Sequence, residues 1–293
     1  LLRLEVLEKR EARIRCRVVI PGELKSRRHI NLPGVKVNLP AFTEKDRGDA
    51  TVGLEEGIDF LALSFVREAR DVEILREFLT ERKSKVKIIA KIEDQEAVRN
   101  IDSIIHEADV IMIARGDLGT EVEFEELPLL QRRIIKRCHE LGTRVIVATQ
   151  LLESMITQPM PTRAEITDVA NAVYELTDCV MLSGESANGA YPFEAVTVMA
   201  RTCCEAERCI NYKQLFSDMK MYTTAPLSTG EAIASAAVAT VLDLKIDLII
   251  VLTDSGAIAR LISKYKPAVP ILACSVVGSV VRQLSSTRGV RGY

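Results

Sequence analysis

Val86-Lys87-Ile88-Ile89-Ala90-Lys91-Ile92-Glu93 is an aliphatic run of strand length that ends in two charges. Four further runs resemble it: Phe60 to Phe65, Val110 to Ala114, Val145 to Thr149 and Cys179 to Ser183. Their polar ends fall at 64, 93, 117, 149 and 183, so the steps are 29, 24, 32 and 34 residues. That is the size of a strand plus a helix plus two loops. Continuous apolar runs predict parallel strands covered on both faces. Between them, Leu127, Leu130, Ile134, Cys138 and Leu141 step by three and four before Gly142, which predicts a helix with a glycine stop. Thr162-Arg-Ala-Glu165 after Pro161 reads as a capping box that opens another helix. Five such units fit either a doubly wound sheet or most of a (β/α)₈ barrel, and in both the chemistry sits at the carboxyl ends of the strands.

The flanks read differently. Residues 1–32 alternate apolar and charged, which predicts an antiparallel hairpin with one wet face. After a long helix from about Ala195 to Ile210, a polar stretch reads as a linker. Beyond it come a helix (230–242), a strand (248–253), a helix (257–265) and a strand (270–274), a second α/β domain. The expected division is 1–32, 33–212, a linker 213–229, and 230–293.

Composition narrows the classes. With 39 Lys+Arg against 41 Asp+Glu the net charge is −2, which gives no sign of a nucleic-acid or membrane partner. Hydrophobic residues at 47% suit a globular core, and the absence of Trp makes that core aliphatic. The seven cysteines show no paired spacing and read as reduced thiols of a cytoplasmic protein. No run reaches the roughly 18 residues of a membrane span, no signal peptide opens the chain, and the missing initiator Met suggests an excerpt.

The strand ends carry the candidate chemistry. Lys91 and Glu93 are two apart and share a face, so they form either a rim ion pair or part of an anion site. Asp117, within Arg115-Gly116-Asp117-Leu118-Gly119, supplies a second carboxylate on the adjacent strand end, unless the segment is only a turn. Gly116 permits close backbone approach to a ligand. Two carboxylates plus substrate oxygens suit Mg²⁺. Thr149 and Ser183 add hydroxyls, which strand-end hydrogen bonding explains equally well. One cation, two acids and two hydroxyls fit phosphoryl transfer, although the sequence holds no Walker A or glycine-rich kinase loop.

Over essentially its whole length the chain resembles the pyruvate kinase family. The matching motifs are Ile88 to Glu93, Met112 to Gly119, Ala148 to Met155, Pro161 to Val173 and Met181-Leu-Ser183-Gly184-Glu185. The resemblance implies an incomplete TIM-type barrel with five of eight strands, the tail of an inserted β lid domain at 1–32, and a truncated C-terminal α/β domain. It implies a glycolytic, cytoplasmic enzyme that moves phosphate from phosphoenolpyruvate to ADP, giving pyruvate and ATP, with Mg²⁺ (or Mn²⁺) and K⁺. It assigns Lys91 to the phosphoryl group in flight and Glu93 and Asp117 to the metal. Gly116 and Asp117 would seat the substrate carboxylate, Thr149 would lie beside the enolate carbon, and Ser183 would join the proton-delivery network. Arg28, beside Arg27, becomes the candidate for nucleotide phosphate. It further implies a homotetramer in which the helix bearing Cys203 and Cys209 is internal.

Three family strands with a substrate Arg and the K⁺ ligands have no counterpart here. At Thr253-Asp254-Ser255-Gly256-Ala257, where relatives bind a sugar-phosphate activator, Asp254 would repel phosphate. Fructose 1,6-bisphosphate is therefore expected to leave substrate half-saturation essentially unchanged in steady-state titrations, and a large fall would contradict this. The competing readings are another Mg²⁺-dependent enolate barrel lyase and an inactive fragment of the kinase.

Overall fold

In the computed structural model, residues 2–24, 26, 30–32, 34–35, 39–223 and 226–293 are described. The chain divides into two units, Leu1–Leu32 and Pro33–Tyr293. The first is an antiparallel hairpin of β1 (Arg3–Arg10) and β2 (Arg13–Ile20), with register shifts at Arg3/Leu4 and Val6/Glu8. The sequence pattern predicted one covered face, but Leu4, Val6, Ile14 and Val18 are 47%, 62%, 60% and 57% exposed. Two strands by themselves have no second layer to bury an apolar row.

The second unit is built on a parallel sheet of β3 (Phe60–Leu63), β4 (Lys87–Ile92), β5 (Val110–Ala114), β6 (Arg144–Ala148) and β7 (Cys179–Met181), which lie side by side in chain order. That order separates the two fold alternatives. A doubly wound sheet reverses at a switch point, whereas a barrel progresses one way. Period-two alternation sorts the side chains. Ile88, Ala90, Ile92, Ile111, Ile113, Val145 and Val147 join the large core shared with the helices, and Ile89, Val110, Met112, Ile146 and Ala148 form a smaller cluster on the other face.

The helices follow their local signals. Leu127–Leu141 buries Ile134, Ile135 and Cys138 and stops on Gly142 at φ 76°. Arg163–Tyr174 starts at Thr162, where the hydroxyl accepts from Glu165 N and the Glu165 carboxylate accepts from Thr162 N at 2.7 Å. The helix Pro192–Arg208 leaves Cys204 exposed and Cys203 half-buried on this chain, and Cys209 at its C-terminal cap is exposed.

The C-terminal lobe comprises helices Thr229–Leu244, Ala257–Lys264 and Gly278–Gln283 and a parallel sheet ordered β10-β9-β8, with β8 (Ile249–Leu252), β9 (Ile271–Cys274) and β10 (Val290–Gly292). The stretch 213–229, read from sequence as a linker, is largely the helix Tyr212–Tyr222. Phe216 and Met219, three apart, pack with Ala234, Val238, Ile262, Tyr265 and Ile271. Lys213, Asp218 and Lys220 make that segment look polar, yet Leu215, Phe216 and Met219 dock it.

The lobe grips the amino ends of the strands. Arg144, opening β6, donates to Ser286 Oγ at 2.5 Å and to Gln283 O and Asp109 O, each at 3.2 Å. Asp178, just before β7, pairs with Lys266 at 2.9 Å and accepts from Val145 N at 2.9 Å and Arg288 N at 3.3 Å. The carboxyl ends lie at the opposite edge of the sheet, away from this junction.

His139 belongs to the same junction, with Nε2 3.0 Å from Leu176 O. Burial, then the nearby Lys266 ammonium, pushes its pKa down to about 3 from the ordinary 6.5. The unfolded chain therefore binds more protons at this histidine between those two values, and stability falls as pH drops below about 6.5. From pH 6.5 to 5.0 the loss reaches about 2 kcal/mol, at 1.36 kcal/mol per pH unit. Urea unfolding at the two pH values checks this, and His139→Gln should flatten the slope.

Candidate active site at the strand ends

In the register of β3 and β4, Leu63 stands opposite Ala90, so Ser64 and Lys91 form the next rung. Both continue the row of Ile89 rather than the helix-facing row, because side chains alternate. Lys91 Nζ donates to Ser64 Oγ at 2.8 Å and lies 2.6 Å from Glu93 Oε1. Glu93 is 1% exposed, which excludes a solvated rim pair, while the Lys91 side chain retains 23% exposure. Glu93 Oε2 accepts from Phe65 N at 2.6 Å, and Phe65 adopts φ 53° in making that turn. Glu93 Oε1 has the ion pair but no hydrogen bond of acceptable angle, so a buried oxygen keeps unspent acceptor capacity.

Asp117 occupies the first turn of the helix Arg115–Glu121 at the end of β5, half-buried, with its carbonyl accepting from Thr120 Oγ1 at 2.8 Å. The Gly116 N–H, expected from sequence to face a ligand, donates to Thr149 Oγ1 at 2.7 Å. A Cβ on residue 116 would come 3.3 Å from Thr149 Oγ1, tight enough to make glycine the fitting residue.

Thr149 has φ 68° and Gln150 φ 55°, an unfavourable region for a β-branched residue. Arg115 holds this turn. Its Nη2 donates to Thr149 O at 2.9 Å and Gln150 O at 3.0 Å, and Nη1 and Nη2 each reach Asp168 at 2.8 Å. Strain that the surroundings over-determine in this way is found at working sites.

Ser183, after β7, donates its N–H to Glu185 Oε2 at 2.8 Å, and Glu185 Oε1 accepts from Leu152 N at 3.1 Å. The wholly buried Glu185 thus ties the Ser183 turn to the segment after Thr149. Arg28 and Arg27 lie outside the described residues.

The geometry brings Lys91 and Glu93 together, brings Gly116 and Thr149 together, and sets Asp117 and Ser183 at the same sheet edge. Sequence reasoning passed over Ser64, Arg115, Asp168 and Glu185. Arg115 stands inside the motif quoted for Asp117 and carried a visible signal, since a long cation directly after an apolar strand needs acceptors. No cluster of three or more His, Cys, Asp or Glu suited to a metal occurs among the described residues. Mg²⁺ does not require one, because it keeps waters and takes one or two carboxylates plus substrate oxygens. The unspent Glu93 Oε1 and the donor chemistry of two carboxylates fit such an ion.

Comparison with known proteins adds two family matches: pyruvate kinase, barrel domain, over residues 1–196, and pyruvate kinase, alpha/beta domain, over residues 231–293. Pyruvate kinase of Dictyostelium discoideum is 48% identical over 291 residues, covering 98% of this chain and 57% of the relative. Pyruvate kinase of Eimeria tenella is 49% identical over 293 residues, covering 100% of this chain and 55% of the relative. The solved structure of Cryptosporidium parvum pyruvate kinase in complex with ADP superposes with a TM-score of 0.95 at 46% identity, covering 100% of this chain and 60% of that one. The chain thus spans somewhat more than half the length of the curated relatives it matches.

Proposed function

The chain belongs to the pyruvate kinase family, and on that premise we propose that the full-length protein containing it transfers the phosphoryl group of phosphoenolpyruvate to ADP, giving pyruvate and ATP. The observation that carries this reading is the buried Glu93 carboxylate beside a partly exposed Lys91 ammonium, at a strand end facing the inner row.

In the reaction the bond from phosphorus to the enol oxygen breaks and one to a terminal ADP oxygen forms. The enolate then takes a proton at carbon. Such transfer needs positioning and charge more than covalent help. Lys91 spreads the charge of the phosphoryl group in flight, and the Gly116 and Asp117 backbone seats the substrate carboxylate. Thr149 borders the enolate carbon. Ser183 belongs to the hydroxyl and water network that returns the proton. Arg28 meets the nucleotide phosphates, and the relative solved with ADP supports a nucleotide as second substrate. Glu93 and Asp117 would hold a Mg²⁺ or Mn²⁺ ion, which supplies charge neutralisation across the phosphoryl oxygens. The implied K⁺ would be held by family residues that have no counterpart in this stretch of sequence.

Assembly as a homotetramer and a cytoplasmic location complete the proposal. Two relatives are named cytosolic isozymes, and no helix among the described residues is long and apolar enough to cross a membrane. An enolate lyase leaves residues 231–293 without a role, and no observation here favours it.

The test is metal removal on the full-length protein. Chelation by EDTA should stop ATP formation from phosphoenolpyruvate and ADP, and Mg²⁺ should restore it. ATP formation that persists through chelation contradicts the assignment of Glu93 and Asp117.

A further inference from the structure

We propose that Ser64 is a positioning residue for Lys91, setting the direction in which the ammonium is offered to the phosphoryl group. The inference rests on the phosphoryl-transfer reading and deepens it. Ser64 and Lys91 occupy one rung on one face of adjacent parallel strands, where neighbouring chains stand about 4.8 Å apart. An ammonium has three N–H donors and no acceptor. One is given to Ser64 Oγ at 2.8 Å, and Glu93 Oε1 lies 2.6 Å from the nitrogen as an ion-pair partner without a hydrogen bond. The other two are left for a ligand, and the Ser64 hydrogen bond together with the Glu93 contact sets the side on which they are offered.

The end of β3 organises both members of the pair. Ser64 holds the cation, and the next residue, Phe65, turns through φ 53° to give its N–H to the other oxygen of Glu93. Without the hydroxyl, the flexible four-carbon stem of Lys91 is anchored only by Glu93. The ammonium is then free to turn its N–H groups toward the Glu93 carboxylate that it already contacts. The charge is still present but aimed at the acid rather than at substrate. Ser64 is half-buried and its side chain makes no other hydrogen bond among the described contacts, so its removal costs the fold little.

Ser64→Ala and Ser64→Thr in the full-length protein test this, with the native protein assayed alongside. Ser64→Ala should lower kcat about 10–100-fold, the size expected for losing a hydrogen bond to a charged group, with KM for phosphoenolpyruvate within about twofold. Its thermal midpoint should match the native protein, and Ser64→Thr, which keeps the hydroxyl, should recover most of the rate. The proposal is overturned by an Ala variant within twofold of native kcat, by a loss carried by KM, or by a loss that Thr does not recover. A native protein that makes no ATP from phosphoenolpyruvate refutes the underlying reading instead, and the native control shows which has failed.

Discussion

Replacing Lys91 with Met should lower phosphoryl transfer at least about a thousandfold while the protein still folds. A cation aimed at a transferring phosphoryl group contributes about 10³–10⁵ in rate in comparable sites. Methionine keeps most of the stem and removes the ammonium, with its charge and its N–H donor to Ser64 Oγ. The side chain is 23% exposed, so the change opens no cavity in the core. It does leave Glu93 without its ion-pair partner, yet Oε2 keeps the Phe65 N–H at 2.6 Å. Circular dichroism and steady-state rates on the same preparation separate the two effects. Near-normal turnover would remove Lys91 from its assigned role, and loss of fold would show that the pair is structural first.

The second large effect is on stability and lies at the other end of the barrel strands. Asp178 and Lys266 have side chains only 5% and 4% exposed and meet at 2.9 Å across the junction of barrel and C-terminal lobe. Burial alone would raise the Asp178 pKa, but the Lys266 ammonium, His139 and the Val145 N–H outweigh it and hold it below the usual carboxylate range. Lys266→Met strands that carboxylate and should cost about 3–5 kcal/mol, as for other buried pairs broken on one side. At about 2–4 °C per kcal/mol, thermal unfolding should shift down by about 6–20 °C. Pairing it with Asp178→Asn removes the stranded charge while keeping an acceptor for Val145 N, so the double variant should recover much of the loss. A shift under about 2 °C for Lys266→Met, or a double variant no better than the single, contradicts the account.

Much of this was legible from residues alone. The limits of β5 and of the helix Leu127–Leu141 match the sequence pattern because an unbroken apolar run marks one, and three-and-four spacing before the Gly142 stop marks the other. Lys91 and Glu93 were found because period-two geometry puts them on one face whatever the fold. Ser64 was missed because its meaning depends on strand register, which pairs residues 27 apart. Arg115 was passed over because its acceptors, Thr149 O, Gln150 O and Asp168, arrive from two later elements. The helix Tyr212–Tyr222 was hidden by charges that decorate its outside, and the fate of the hairpin's apolar row depends on a second layer that its own residues do not supply.

The most direct test of the central claim follows both products in one vessel, using the full-length protein with ADP, phosphoenolpyruvate and Mg²⁺. ATP and pyruvate should appear in equal amounts as phosphoenolpyruvate disappears, with no loss of phosphoenolpyruvate when ADP is withheld. Consumption of phosphoenolpyruvate without matching ATP, or no consumption at all, would contradict it.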